Sequence, residues 1–372
     1  MAADVCVGRV QARAYTIPTD LPEADGTASW NATTIVVVHA EAGGHRGIGY
    51  TYADAPVAGL VAGKLADVLA GYDAMDPPAA WRAMQVAVRN LGRAGMAATA
   101  ISAVDTALWD LKARLLDLPL ASLLGCYRHV VPIYGSGGFT SYDDSQLTEQ
   151  LLGWVERDGC RWVKMKIGNE PARDPARVAA AKAAIGSAAD LFVDANGAYS
   201  IKQAQHLAHI FATEQDVKWF EEPVSSDDLT GLRWVRDHVP SPMEVAAGEY
   251  GYELDYFRRM LAAEAVDVQQ ADATRCGGVT GFLQAAAVCE AFHVDLSAHC
   301  APALHRHLGC AAPRFRHCEW FHDHVRIEHT LFDGAPVPHA GGISPDPTRP
   351  GLGLMLKQQD AERFAVAPGG GQ

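Results

Sequence analysis

Two textures of hydrophobic and polar positions divide the chain. β-Branched runs at 5–16 and 33–40, and the alternating GHRGIGYTY at 44–52, predict three strands joined by turn-rich segments. Helical patterning follows over 56–70, 78–92 and 96–116. Strands in one block and helices in the next predict a small α+β unit over the first 125 or so residues. From about residue 130 the pattern changes to short apolar runs at 130–136, 161–167, 191–196, 217–223, 243–249, 266–272, 294–299 and 317–321. Alanine-rich helical stretches such as PARVAAAKAAIG, IKQAQHLAHIFA and DYFRRMLAAEA separate most of them. Eight strand-helix repeats predict a parallel sheet closed into a barrel. The last 45 or so residues are turn-rich, are expected to pack back on the N-terminal unit, and end in a PGGGQ expected to fray.

Composition narrows the function classes. The 372 residues carry 31 basic and 44 acidic side chains, a net charge of -13, which gives no general attraction for nucleic acid or an anionic membrane surface. No apolar run reaches the length of a membrane span. The N-terminus lacks a signal-peptide layout, and none of the eight cysteines forms a Cys-x-x-Cys pair, so free thiols in the cytoplasm are expected. No P-loop, dinucleotide fingerprint, His-Glu-x-x-His or Gly-x-Ser-x-Gly is present.

The chemistry lies at the ends of the repeated strands. Lys166, Asp194, Glu221, Glu249, Asp272, His299 and Glu319 are separated by 28, 27, 28, 23, 27 and 20 residues, about one strand-helix unit each. That spacing sets them on one barrel rim, where such barrels carry their active sites. Asp194, Glu221 and Glu249 come from consecutive strands, and converging carboxylates call for a cation such as Mg²⁺. Glu222 is an alternative to Glu221, because strand alternation lets only one of the two face inward. Lys164 and Lys166 share a strand face, and their mutual repulsion is expected to lower a lysine pKa towards that of a general base. A His299–Asp272 pair would fix the imidazole tautomer and free one ring nitrogen for proton exchange. The loops 19–32 and 51–56 are candidates for substrate contact through Asp20 and Trp30, with Ser136 and Asn196 added to that set. The pairs His322/His324 and His305/His307 could suggest a second metal site but are expected to be surface histidines, the latter pair facing solvent or the capping domain, and Trp162 and Trp219 are expected in the core.

In this order, ALWDLKARLLDLPLASLLG, KMK, VDAN, FEEP, AAGE, QADATRCGG, SAH, CEWF and PGLGL resemble the enolase superfamily, specifically its mandelate racemase subgroup. LLGC at 123–126 departs from the LLGG of many relatives. The resemblance implies an α/β fold: a modified (β/α)8 TIM-type barrel, (β/α)7β, over 126–325. An α+β capping domain over 1–125 would be completed by the segment 326–372. It implies Mg²⁺ on Asp194, Glu221 and Glu249, which favours Glu221 over Glu222. Lys166 would be a base, Lys164 a group that binds and polarises the substrate carboxylate, and His299 with Asp272 a second acid/base. Glu319 would hydrogen-bond the enolate. The implied reaction is dehydration of a sugar acid to a 2-keto-3-deoxy acid, with racemisation or epimerisation as the alternative. Self-association into a homo-oligomer is a further expectation from the resemblance.

Overall fold

The computed structural model describes residues 5–366, so the terminal PGGGQ lies outside the described residues. Strands β1 (Arg9–Ala24), β2 (Ser29–Ala42) and β3 (His45–Tyr52) form an antiparallel sheet in that order. Side-chain alternation splits β2 between two cores: Val36, Val38 and Ala40 pack with the cap helices, while Ile35 and Val37 join the main core. A fully buried apolar run is what a strand covered on both faces requires.

The 19–32 stretch, expected as a loop, is mostly hairpin. β1 and β2 run on to a tip at 25–28, where Asp25 Oδ1 accepts the N–H groups of Thr27 at 2.6 Å and Ala28 at 2.7 Å. Asp-Gly is a strong turn signal, and it outweighs the loop-like composition around it. Gly26 is needed for a close approach, since a Cβ there would stand 2.4 Å from the Ala195 carbonyl and 2.7 Å from that of Ile167. The hairpin tip is therefore seated on the barrel mouth.

Residues 56–69 are helical, with a π-helical turn at Val61–Leu65, and α1 (Pro77–Ala87) and α2 (Met96–Leu115) follow. Helix α2 is alanine-rich because it lies directly on β3. A Cβ on Gly47 would meet the Ala107 carbonyl at 2.2 Å, and one on Gly49 the Ala103 carbonyl at 2.1 Å.

The barrel alternates β4 (Val131–Gly137), α3 (Asp144–Glu156), β5 (Trp162–Lys166), α4 (Asp174–Ile185), β6 (Asp190–Asp194) and α5 (Ile201–Glu214). It continues through β7 (Val217–Glu221), α6 (Leu229–His238), β8 (Glu244–Ala247), α7 (Leu254–Ala262) and β9 (Val268–Ala271). Then come α8 (Gly278–Ala291), β10 (Asp295–Ala298), α9 (Pro302–Ala311) and β11 (Phe315–Phe321), with α10 (His322–Leu331) after the last strand. Neighbouring strands pair in parallel, and β11 pairs with β4 to close the cylinder.

The chain then returns to the cap. Gly342–Ile343 adds antiparallel to β4, Leu352 N–H reaches Asp110 of α2, and backbone at 364–366 bonds to Ala14 and Thr16 of β1. No helix among the described residues is long and apolar enough to cross a membrane.

Inward-facing side chains form two layers. Tyr134, Phe192, Trp219 and His317 make an aromatic floor, with Phe192 stacked on Trp219 at 5.0 Å and the His317 ring 4.8 Å from Tyr134. Two residues further along the same strands stand Ser136, Asp194, Glu221 and Glu319. The period of two thus converts an apolar layer into an ionic one at the carboxyl-terminal mouth.

Candidate active site

Strand β5 supplies both cations of the ionic layer. Lys164 Nζ, fully enclosed, lies 2.6 Å from Glu221, 2.8 Å from Glu319 and 3.4 Å from Asp194. Lys166 Nζ lies 2.5 Å from Asp194 and reaches the cavity above. Mutual repulsion of the pair does not decide their protonation. Burial pulls both pKa values down, but Glu221 and Glu319 around Lys164, and Asp194 beside Lys166, outweigh it and hold both above the ordinary lysine range. The expected lowering is corrected accordingly: carboxylates this close outweigh the neighbouring ammonium.

Asp194, Glu221 and Glu249 each offer a carboxylate oxygen, all within 4.8 Å of one another. An octahedron with bonds of about 2.0–2.1 Å spaces its ligand oxygens about 2.9–4.2 Å apart. The spacing and the all-oxygen donor set therefore fit Mg²⁺. Glu221 is held from the floor by Trp219 Nε1–H at 3.0 Å. Contrary to the alternation argument, Glu222 is also buried beside this group. Its φ of +37° ends the strand geometry, and burial with the charges of Glu249, Asp194 and Glu221 pushes its pKa well above the ordinary value.

Across the barrel, His299 Nδ1 is 2.9 Å from Asp272 Oδ2, and Nε2 is 3.4 Å from Glu249. Burial would lower the histidine pKa, but Glu249, Asp272 and Glu319 overcome it and leave the value raised. Asp272 is correspondingly held well below the ordinary carboxyl range by His299 and Arg275, against its burial. These groups open on a cavity of about 330 Å³. Lys166, Asn196, Glu249, His299 and Glu319 form its barrel side, and Asp25, Trp30, Thr33, Tyr52 and Asp54 its cap side.

Of the four candidate substrate contacts, Asn196 and Trp30 line this cavity. Trp30 Nε1–H is already given to Glu23 Oε2 at 2.8 Å, so the residue presents its ring. Asp20 does not line the cavity, because β1 continues past it and its carboxylate is taken by His322 Nε2 at 2.9 Å. Ser136 lies beneath, its hydroxyl donating to Glu319 Oε1 at 2.6 Å. Lys164 is likewise enclosed below the cavity by its carboxylate partners.

Three of the four histidines are buried rather than at the surface, and of these His307 meets the capping domain, where its Nδ1 accepts Ala121 N–H at 3.3 Å. His305 and His307 are enclosed because α9 runs between the barrel and the returning C-terminal segment. His305 Nε2 accepts Ala273 N–H at 3.0 Å, while Nδ1–H donates to the Cys300 carbonyl at 2.7 Å. His324 is buried, stacked on Tyr52 at 3.4 Å. Sequence reasoning also missed Arg275, Tyr250 and Cys300 as wall residues. Arg275, in QADATRCGG, donates to the Glu249 carbonyl at 3.1 Å. Cys300 carried only one signal, its place next to His299.

Fold and site together define a member of the enolase superfamily. The chain belongs to it: residues 10–125 match the mandelate racemase / muconate lactonizing enzyme N-terminal domain, and residues 146–361 match the enolase C-terminal domain-like family. It is 33% identical to 3,6-anhydro-alpha-L-galactonate cycloisomerase of Streptomyces coelicolor, over 97% of this chain and 99% of that protein. It is 32% identical to L-talarate/galactarate dehydratase of Salmonella typhimurium, over 85% of this chain and 78% of that one. A solved mandelate racemase/muconate lactonizing enzyme-like protein from Rubrobacter xylanophilus is 52% identical with a TM-score of 0.95, covering 97% of this chain and 100% of its own. Crystallised relatives hold magnesium, so Mg²⁺ is the cofactor that the carboxylate set fits. The chain is an acid-sugar dehydratase or isomerase of this superfamily.

Proposed function

We propose that the chain removes water from a sugar acid to give a 2-keto-3-deoxy acid. The observation that carries this reading is that Lys166, at the end of β5, and His299, just past the end of β10, wall one cavity with the carboxylate group between them. Two proton-transfer groups on opposite sides of a substrate can take one proton and deliver another. Asp194, Glu221 and Glu249 would hold Mg²⁺, which when bound supplies positive charge to balance that developing on the substrate carboxylate.

Lys166 would take the α-proton through Nζ as the free amine, which requires that Mg²⁺ on Asp194 offset the carboxylate charge that otherwise holds the lysine pKa up. Glu319 is the hydrogen-bonding partner of the enolised carboxylate, and Lys164 with Ser136 positions it from beneath. His299 gives its Nε2 proton to the departing β-hydroxyl, which leaves as water, while Asp272 keeps the ring oriented through Nδ1–H. The resulting enol gains a proton at C3 and loses the one on its oxygen, giving the keto acid. Sugar-acid names among the relatives, such as the talarate/galactarate dehydratase, support this substrate class. The cycloisomerase likeness over nearly the whole chain favours a second reading, isomerisation through the same enediolate.

Purified protein with Mg²⁺ is screened against mono- and diacid sugars, with 2-keto acid detected by semicarbazide. A hit is expected, and Lys166→Ala and His299→Asn should each lower its rate at least about 10²-fold. Either variant turning over at the wild-type rate would overturn its assigned role. Deuterium entering the α-carbon in D₂O without loss of water would replace dehydration by isomerisation.

A further inference from the structure

The free face of His299 is shared with a thiol. Cys300 Sγ lies 3.3 Å from His299 Nε2 and 3.4 Å from Glu319 Oε2, and the two latter atoms are 3.9 Å apart. All three residues wall the cavity and are buried, and they come from β11 and the turn that follows β10. That turn has an unusual backbone: Cys300 at φ +52° and Ala301 at φ +41° are consecutive non-glycine residues in the left-handed region. The conformation costs free energy, and it brings Sγ to the ring of the preceding residue.

We propose that His299, Cys300 and Glu319 form a second metal site that takes a thiophilic divalent cation, Zn²⁺ or Co²⁺, distinct from the all-carboxylate site beside it. Tetrahedral zinc with bonds of about 2.3 Å to sulfur and about 2.0–2.1 Å to nitrogen and oxygen holds sulfur about 3.6 Å from its N and O neighbours, and nitrogen about 3.4 Å from oxygen. The observed triangle matches these separations to within about half an ångström. The donors are also oriented for ligation. Asp272 takes the Nδ1–H of His299, the usual support of a metal-bound imidazole, so that Nε2, once its own proton is displaced, turns its lone pair towards the site. Glu319 spends Oε1 on Lys164 and Ser136, while Oε2 accepts the Cys300 backbone N–H at 3.0 Å and turns its second lone pair to the thiol. The cavity leaves the fourth position to a water or substrate oxygen.

Binding releases the Cys300 thiol proton and the proton on His299 Nε2, and forms the metal–sulfur and metal–nitrogen bonds without redox change. Sulfur makes the choice of metal, since thiolate favours Zn²⁺ and Co²⁺ over Mg²⁺. A cation here occupies the nitrogen from which His299 would exchange protons. It therefore inhibits any reaction that needs that nitrogen, even with the carboxylate site full of Mg²⁺.

The test reads binding directly, so its failure is separable from failure of the proposed reaction. Mg²⁺-saturated protein is titrated with Co²⁺ while the near-ultraviolet thiolate-to-cobalt absorption is followed. One equivalent should raise the band and Zn²⁺ should displace it. Cys300→Ser should abolish the band while keeping its Mg²⁺-dependent rise in melting temperature. The band should survive Cys6→Ser/Cys126→Ser, which removes the exposed thiols. In the unaltered protein, Zn²⁺ should also slow iodoacetamide alkylation of Cys300 at least tenfold, read by mass spectrometry. Absence of the band, its persistence in Cys300→Ser, or an unchanged alkylation rate overturns the site and leaves the contact as an S–H hydrogen bond.

Discussion

Glu23 shows how far one enclosed carboxyl can tie stability to pH. The side chain is fully buried under the cap hairpin, with Oε2 accepting from Trp30 and Oε1 without a hydrogen-bond partner among the described residues. Burial first, then the charges of Asp323 and Asp20, push its pKa up from 4.5 to about 8, against the Trp30 bond and Arg326. A carboxyl raised in the folded state binds its proton more tightly there than in the unfolded chain. Its contribution is therefore complete below the unfolded value and is lost as pH rises through about 8. Glu23→Gln keeps an acceptor for Trp30 and removes the titration. Urea denaturation between about pH 5 and about pH 8 should then show a shallower fall in stability than in the parent protein. Equal slopes would mean that Glu23 is ionised throughout. The residue scale is also where the sequence was least legible. Repeat spacing identifies which ionisable residues reach the rim, because each strand-helix unit advances one barrel position. It does not reveal whether Asp20 finds His322 before any ligand, or that left-handed backbone at Glu222 and Cys300 would turn two more side chains into the site.

Among the elements, the packing of α2 on β3 depends on the absence of side chains at Gly47 and Gly49. The sequence showed an alternating strand and an alanine-rich helix, but not that the two touch backbone to backbone. That contact joins residues 54 and 60 positions apart, and no local pattern encodes it. Gly49→Ala places a Cβ against the Ala103 carbonyl, which is backbone and cannot swing away. The strand and helix must separate, at a cost of about 1–3 kcal/mol in unfolding free energy, typical of overpacking. Chemical denaturation measures this, and a variant as stable as the parent would show that the sheet shifts freely under the helix. Because β3 leads directly to the cavity residues Tyr52, Ala53 and Asp54, the same substitution should raise KM for the sugar acid more than it lowers kcat. The hairpin at 19–32 reads differently. Its turn signal, Asp25-Gly26, was present in the sequence, yet the polar composition around it concealed two strands.

For the molecule as a whole, the barrel carries an ionic layer with more carboxyl groups than cations. Asp194, Glu221, Glu222, Glu249, Asp272 and Glu319 crowd one mouth, while Lys164, Lys166, Arg275 and His299 are the cationic groups among them. Where carboxyls face one another the layer stores repulsion: burial and the neighbouring carboxylates raise the pKa values of Glu221 and Glu222. A divalent cation that binds only the folded carboxylate group relieves that repulsion and stabilises the whole chain. At a hundredfold excess over its dissociation constant the gain is about 2.7 kcal/mol, seen as a rise in melting temperature with Mg²⁺ and a fall with EDTA. Asp194→Asn and Glu249→Gln each remove one charge from the layer. Against burial, Lys166 and Lys164 hold the Asp194 carboxyl below its ordinary pKa, and His299 and Arg275 do the same for Glu249, so both variants should melt lower than the parent in EDTA and lose most of the Mg²⁺-dependent rise. An Mg²⁺ response undiminished in both would place the cation elsewhere. Variants that melt higher than the parent in EDTA would instead mean that the carboxylates repel one another more than Lys166 and Arg275 hold them.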